Sequence, residues 1–190
     1  MKSKNRLPQG ICNRTPIKIK VSYRVNIMKK IIIIGCSGSG KSTFARKLSA
    51  KINIPLYYLD MIWHKPDKST LTEKEFDAQL SALLAKDTWI IDGNYQRTLE
   101  MRLKECDTVF LLDIPTHICL EGAKSRIGKK REDLPWLETE LEEDFKQWIC
   151  NYPEKSLPKI MDLLEKYKTD RQIMIFKSRD EADKFLEKSF

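Results

Sequence analysis

The run Gly35-Cys36-Ser37-Gly38-Ser39-Gly40-Lys41-Ser42, "GCSGSGKS", follows Ile31-Ile32-Ile33-Ile34 and precedes "TFARKL", residues 43–48. A β-branched apolar run, then small residues, then a helix-favouring segment reads in order as strand, loop and helix start. Gly35, Gly40, Lys41 and Ser42 satisfy the spacing G-x-x-x-x-G-K-[ST]. Glycines let successive backbone N–H groups turn inward as an anion nest, and the helix behind adds the partial positive charge of its N-terminus. Lys41 is then placed to reach the β- and γ-phosphates of a nucleotide, and the Ser42 hydroxyl to ligate Mg²⁺.

Outward from this loop, four more apolar runs are of strand length: "PLYYLD" (55–60), "WIIDG" (89–93), "TVFLLD" (108–113) and "RQIMIF" (171–176). Continuous apolarity fits strands buried on both faces. Helical spacing fills the gaps at 41–52, at 72–86 with Phe76, Leu80, Leu83 and Leu84, near 96–104 and at 116–127. The alternation predicts an α/β domain with a parallel sheet covered by helices. Farther on, Leu141, Phe145, Trp148 and Ile149 recur at helical spacing and read as a core stripe.

With 190 residues and 41% hydrophobic content, the chain suits one domain, residues 28–190, preceded by an appendage. Its net charge of +8 is misleading. Residues 1–27 hold seven Lys or Arg and no acid, and the remainder carries 28 basic against 27 acidic residues. The domain therefore shows no footprint for nucleic acid. The first 27 residues read as a solvated extension or misassigned start, with a basic arm or an extra strand as alternatives. Five cysteines (Cys12, Cys36, Cys106, Cys119, Cys150) form no C-x-x-C pair and predict reduced, packed thiols. His64 and His117 have no partner at ligand spacing and receive no chemistry. No apolar run reaches the roughly 20 residues of a membrane helix, so a soluble, cytoplasmic protein is expected.

Three expected strands end in acids, Asp60, Asp92 and Asp113, and open α/β sheets bind ligands at the carboxyl ends of their strands. Asp92 is the expected metal ligand beside Ser42, because Gly93 behind it permits close approach of a phosphate. Asp60 is expected to align or deprotonate an acceptor hydroxyl, and Asp113 to cap a helix. Phosphoryl transfer needs cations on a segment that closes over the phosphates, and "KSRIGKKRED" (124–133) offers Arg126 and Arg131 among five cations. Asp60, Trp63, Gly93, Tyr95 and Arg97 frame the expected acceptor pocket, with Arg97 and Arg102 as grips for an anion.

"GCSGSGKSTFARKL", "YYLDMIWHKP", "WIIDGNY", "RIGKKREDLP" and "IMIFKSRDEADKFL", in that order, resemble the DNA topology modulation proteins (FlaR-related), a branch of the adenylate-kinase-like P-loop kinases. The resemblance spans roughly residues 28–188. It implies a three-layer P-loop NTPase fold with strand order 2-3-1-4-5 and a small helical lid near 124–133. It also implies ATP on Gly35, Cys36, Ser37, Gly38, Ser39, Gly40, Lys41, Ser42 and Thr43, with Thr43 at the α-phosphate. By the same likeness Asp92 stands on the metal side and Lys177 to Arg179 border the adenine. Relatives often read G-R-x-R-P-D in the lid, where this chain has Gly128-Lys129-Lys130-Arg131-Glu132-Asp133. Lys129 forgoes the planar fork of the first arginine, and Arg131 keeps the second.

The leading expectation is an ATP- and Mg²⁺-dependent kinase acting on a nucleotide, nucleoside or hydroxylated metabolite, with Lys41, Asp60, Arg126 and Arg131 as the catalytic set. An ATP-binding regulator of DNA and a nucleotide hydrolase are the alternatives. No N-K-x-D sequence favours guanine.

Overall fold

A computed structural model describes residues 28–190; the reading of residues 1–27 falls outside them. Strand β1 (Lys30–Gly35) is the centre of a five-stranded parallel sheet with β2 (Leu56–Tyr58), β3 (Trp89–Asp92), β4 (Thr108–Leu112) and β5 (Gln172–Phe176), in the order β2-β3-β1-β4-β5. The isoleucines explain the central place: Ile31 to Ile34 are fully buried, as a strand covered on both faces requires. From β1 the chain runs out to β2, returns to β3 beside β1, then crosses to β4 on the other flank. The reversal opens a crevice at the carboxyl end of β1, where the loop begins.

The helices are α1 (Lys41–Ile52), α2 (Leu59–Trp63), α3 (Glu73–Leu84), α4 (Leu99–Glu105), α5 (Thr116–Lys124), α6 (Glu143–Lys155), α7 (Leu157–Tyr167) and α8 (Arg179–Ser189). Helix α3 starts at Thr72, whose hydroxyl accepts the Glu75 N–H while the Glu75 carboxylate accepts the Thr72 N–H, a capping box worth about 1 kcal/mol. Phe44 of α1, Phe110 of β4, Phe176 of β5 and Phe185 of α8 interlock with centroids 5.0 to 5.9 Å apart, locking the loop's own helix to the sheet. Among the described residues no helix is long and apolar enough to cross a membrane.

Three expectations are corrected. β2 ends at Tyr58, so Asp60 sits in the first turn of α2 instead of ending a strand. Helix α5 stops at Lys124, and the segment to Glu142 is built of turns and bends with no helix, so the lid stretch is not helical. In the aromatic stripe Ile149 is buried, Leu141 and Phe145 are half-buried, and Trp148 is 38% exposed, stacked on Phe145 at 5.9 Å.

Candidate active site

Helix α1 begins directly after Gly40, and its first-turn N–H groups face the crevice. The loop's shape is imposed from behind. Gly38 has φ +78°, and a Cβ there would lie 1.9 Å from the Cys119 carbonyl oxygen of α5, so only glycine fits. Arg179, the first residue of α8, donates to the carbonyls of Gly38 (2.6 Å), Ser39 (3.2 Å) and Ile118 (3.3 Å). With those carbonyls turned back to a guanidinium, the loop's N–H groups are left to face forward. Arg179 thus clamps the loop as well as lining the cleft, while Lys177 of the same turn pairs with Asp113. Asp113 is an ion-pair partner in place of the expected cap; no side-chain cap is found at α5. Lys41 Nζ donates to the Cys36 carbonyl at 3.2 Å. The Cys36 thiol is pushed up by the Cys119 thiol beside it and by burial, so it stays protonated and serves the loop through its backbone.

Parallel pairing sets Ile33 opposite Asp92, which puts this carboxylate next to the loop. Asp92 is 5% exposed and its Oδ1 has no hydrogen-bond partner among the described residues. Burial pushes its carboxyl up, opposed by the charge of Lys41 and the hydroxyl of Ser42. A second acid converges on that hydroxyl. Burial alone would push Asp133 up too, but the Arg131 fork and Ser42 outweigh it and hold this carboxyl below the usual range. Ser42 therefore stands between Asp92 and Asp133. Among the described residues no group of three or more His, Cys, Asp or Glu could hold a metal. Mg²⁺ needs no such cage: it takes one or two carboxylates plus phosphate oxygens and waters. The orphaned Asp92 oxygen beside Ser42 fits that demand.

Two clefts open beside the loop. The first, about 540 Å³, is lined by Gly38, Gly40, Ser42 and Thr43, by Arg46 and Lys47 of α1, and by Arg179 and Asp183 of α8. The second, about 370 Å³, holds Ser37, Asp60, His64, Lys68, Trp136, Glu138 and Phe145. Arg126 and Arg131 line both. Arg126 Nη1 lies 3.4 Å from Ser37 Oγ, and burial lowers its pKa. Arg131 forks onto Asp133 at 2.9 and 3.1 Å and also pairs with Glu138.

Among the residues expected to frame an acceptor, Asp60 faces the second cleft and accepts from the Tyr95 hydroxyl at 2.8 Å. Tyr95 and Trp63 do not line either cleft; they pack on Phe76, with centroids 5.3 and 5.2 Å away, and brace Asp60 from behind. Gly93 is explained by packing instead of phosphate: its Cβ would strike Leu59 Cβ at 2.7 Å. Arg97 is occupied on the surface by Asp77, at 2.7 and 2.9 Å, and by Glu73. Arg102 is fully buried and donates to the carbonyls of Gly93 and Tyr95, both at 2.8 Å, fixing the turn that carries Tyr95. Sequence reasoning missed His64 and Trp136, which meet edge to face at 4.8 Å on the wall of the second cleft. No spacing signal joins two residues so far apart in the chain. Burial lowers the His64 pKa, leaving a neutral imidazole at pH 7.

Among solved structures, the shikimate kinase of Bacteroides thetaiotaomicron superposes with a TM-score of 0.50 and 17% identity over 85% of this chain and 96% of that one. The shikimate kinase of Aquifex aeolicus gives a TM-score of 0.45 and 20% identity over 84% and 92%. At such identity the first likeness establishes the fold: this chain has the P-loop NTPase fold, a five-stranded parallel sheet with flanking helices. No protein-family model matches the chain. Nor does any curated protein.

Proposed function

We propose that the protein is an ATP- and Mg²⁺-dependent kinase that phosphorylates a small hydroxylated molecule. The observation that carries this reading is the common wall: Arg126 and Arg131 line the P-loop cleft and the Asp60 cleft alike. A group passing between two bound molecules needs cations that face both its origin and its destination, and a hydrolase needs no second cleft of this kind. The P-loop kinase fold shared with shikimate kinases supports it.

In this reading the loop residues Gly35 to Thr43 hold the triphosphate, and Lys41 meets the charge on its outer phosphates. Ser42 and Asp92 would hold Mg²⁺, which would supply positive charge to offset that of the phosphate oxygens. Asp60, kept in place by the Tyr95 hydroxyl, orients the acceptor hydroxyl and takes its proton. Arg126 and Arg131 stabilise the charge on the phosphoryl group in flight. Within the P-loop kinases, the pair "LDMIW" and "WIIDGNY" supports the branch of the DNA topology modulation proteins.

The test is product formation by the full chain with ATP and Mg²⁺ across nucleosides, nucleoside monophosphates, sugars and amino alcohols, following phosphorylated acceptor and ADP together. Stoichiometric appearance of both, lost in Lys41→Ala and in Asp60→Asn, with ATP binding spared only in the latter, is the expected result. ADP release that no acceptor accelerates would reject the kinase in favour of a hydrolase.

A further inference from the structure

The two clefts differ in charge. Among the described residues the acceptor-side wall carries Asp60, Glu140 and Glu142 against a single ammonium, Lys68. Arg126 and Arg131 are shared with the P-loop cleft, and Arg131 is already engaged by Asp133 and Glu138. The arginines that could have met an acidic acceptor are turned elsewhere, Arg97 to Asp77 and Arg102 to backbone carbonyls. Among the described residues no guanidinium lines this cleft alone. A phosphate or carboxylate on the acceptor would therefore meet the like charges of Asp60, Glu140 and Glu142, and the guanidinium groups within the cleft, Arg126 and Arg131, also face the P-loop cleft, where the triphosphate would compete for them.

The remaining lining favours the opposite sign. Trp136 and Phe145 give aromatic surface next to the carboxylates, and an ammonium over an aromatic face is attracted by the ring's negative quadrupole. His64, held edge-on to Trp136, adds no competing charge, and its buried Nδ1 has no hydrogen-bond partner among the described residues. Carboxylates with aromatic rings are the chemistry of an organic-cation pocket. A cleft of about 370 Å³ lies at the small end of ligand sites and suits a molecule of monosaccharide size or less.

We propose that the acceptor is a hydroxylated amine, an alcohol bearing a protonated amino group and neither phosphate nor carboxylate, with its ammonium toward Glu140, Glu142 and Trp136 and its hydroxyl at Asp60. This rests on the kinase reading above. In the transfer, the acceptor oxygen forms a bond to the γ-phosphorus and the bond from that phosphorus to the β,γ-bridging oxygen breaks. ADP leaves with the electron pair, and the hydroxyl proton passes to Asp60.

The experiment uses the full chain with ATP and Mg²⁺ and two sets of probes matched except for charge. One set is glucosamine, glucose and glucose 6-phosphate; the other is 3-amino-1,2-propanediol, glycerol and glycerol 3-phosphate. Binding is read by calorimetry and transfer by phosphorylated product. The amine of at least one set is expected to bind about tenfold or more tighter than its neutral and anionic counterparts. Exchanging the exposed pair Glu140→Gln and Glu142→Gln is expected to remove most of that preference while leaving the KM for ATP in place, and Lys68→Gln to increase it. Preference for a phosphorylated member, or failure of both amines to bind, overturns the proposal. An amine that binds in preference yet receives no phosphate would uphold the pocket's chemistry and reject the kinase, so the two readings fail separately.

Discussion

Replacing Arg102 by methionine tests how the acceptor side is held together. The side chain is fully buried, and its guanidinium donates to the carbonyls of Gly93 and Tyr95 at 2.8 Å and of Asn94 and Thr98 at 3.4 Å. Hydrogen bonds from a charged donor contribute about 1.5 to 3 kcal/mol each, so the two short ones together supply about 3 to 6. Against this stands the cost of burying the charge, which pushes the Arg102 pKa down to about 10. Methionine fills similar space and removes that cost, but leaves at least two buried carbonyls without a donor. The expected net loss is about 3 kcal/mol, and with a urea slope of about 2 kcal/mol/M the midpoint should fall by about 1.5 M. Arg102→Lys retains the charge but touches one or two carbonyls, so it should recover less than half. In the folded variant the Tyr95 hydroxyl loses its register with Asp60, raising the acceptor KM while the ATP KM holds. A midpoint shift below about 0.5 M in Arg102→Met would refute the pinning argument.

Asp92→Asn should separate stability from function. A carboxyl with a raised folded pKa contributes stability that is full below its ordinary value of 3.8 and lost as pH rises through the folded value, so at pH 7 burying the Asp92 carboxyl is a net cost. Thermal unfolding at pH 7 should therefore show a gain of about 1 to 2 kcal/mol, while ATP titrations lose their dependence on Mg²⁺; a lower Tm with Mg²⁺ dependence intact would contradict the assignment. For His64 the sign is reversed. Its folded pKa lies below the ordinary 6.5, so its share of stability is present above that value and lost as pH falls through the folded one. His64→Gln should flatten the decline in urea midpoint between about pH 7 and about pH 5, and an unchanged slope would show that other groups cause it. Gly38→Ala puts a methyl 1.9 Å from the Cys119 carbonyl, where only backbone can yield, so it should cost about 1 to 3 kcal/mol and abolish nucleotide binding in calorimetry.

The strands were legible because each buried strand is an uninterrupted apolar run: β1, β3, β4 and β5 lie within one residue or so of the expected limits. The loop was legible because its backbone demands glycine at fixed spacing. Asp60 was misplaced onto a strand because Tyr57, Tyr58 and Leu59 continue the apolar run, although Leu59 already packs over Gly93 as the first residue of a helix. Arg97 and Arg102 look alike in sequence, five residues apart on one amphipathic stretch. Only tertiary packing sends one to a surface carboxylate and the other into the core. Asp133 was visible as part of a lid motif, but its approach to Ser42 depends on how the turns after α5 fold back, which no local periodicity encodes.

The two shared arginines differ in how they are held, and the difference bears on the proposed reaction. Arg126 follows α5 by two residues, and α5 is seated on the loop through the Cys119 carbonyl and through Gly122, whose missing Cβ leaves room for the Gly38 carbonyl at 2.3 Å and for Arg179. Loop, α5 and Arg126 are thereby one packed unit, which holds this cation beside the loop. Arg131 belongs to the turns beyond, tied by Asp133 and Glu138. A triphosphate in the P-loop cleft offers the same fork a stronger anion than either carboxylate, so binding would exchange one set of ion pairs for another at small net cost. Asp133, released by Arg131, would remain at Ser42, on the metal side. In the proposed reaction Arg126 would thus be in place before the substrates arrive, and Arg131 would exchange its carboxylate partners for the phosphate.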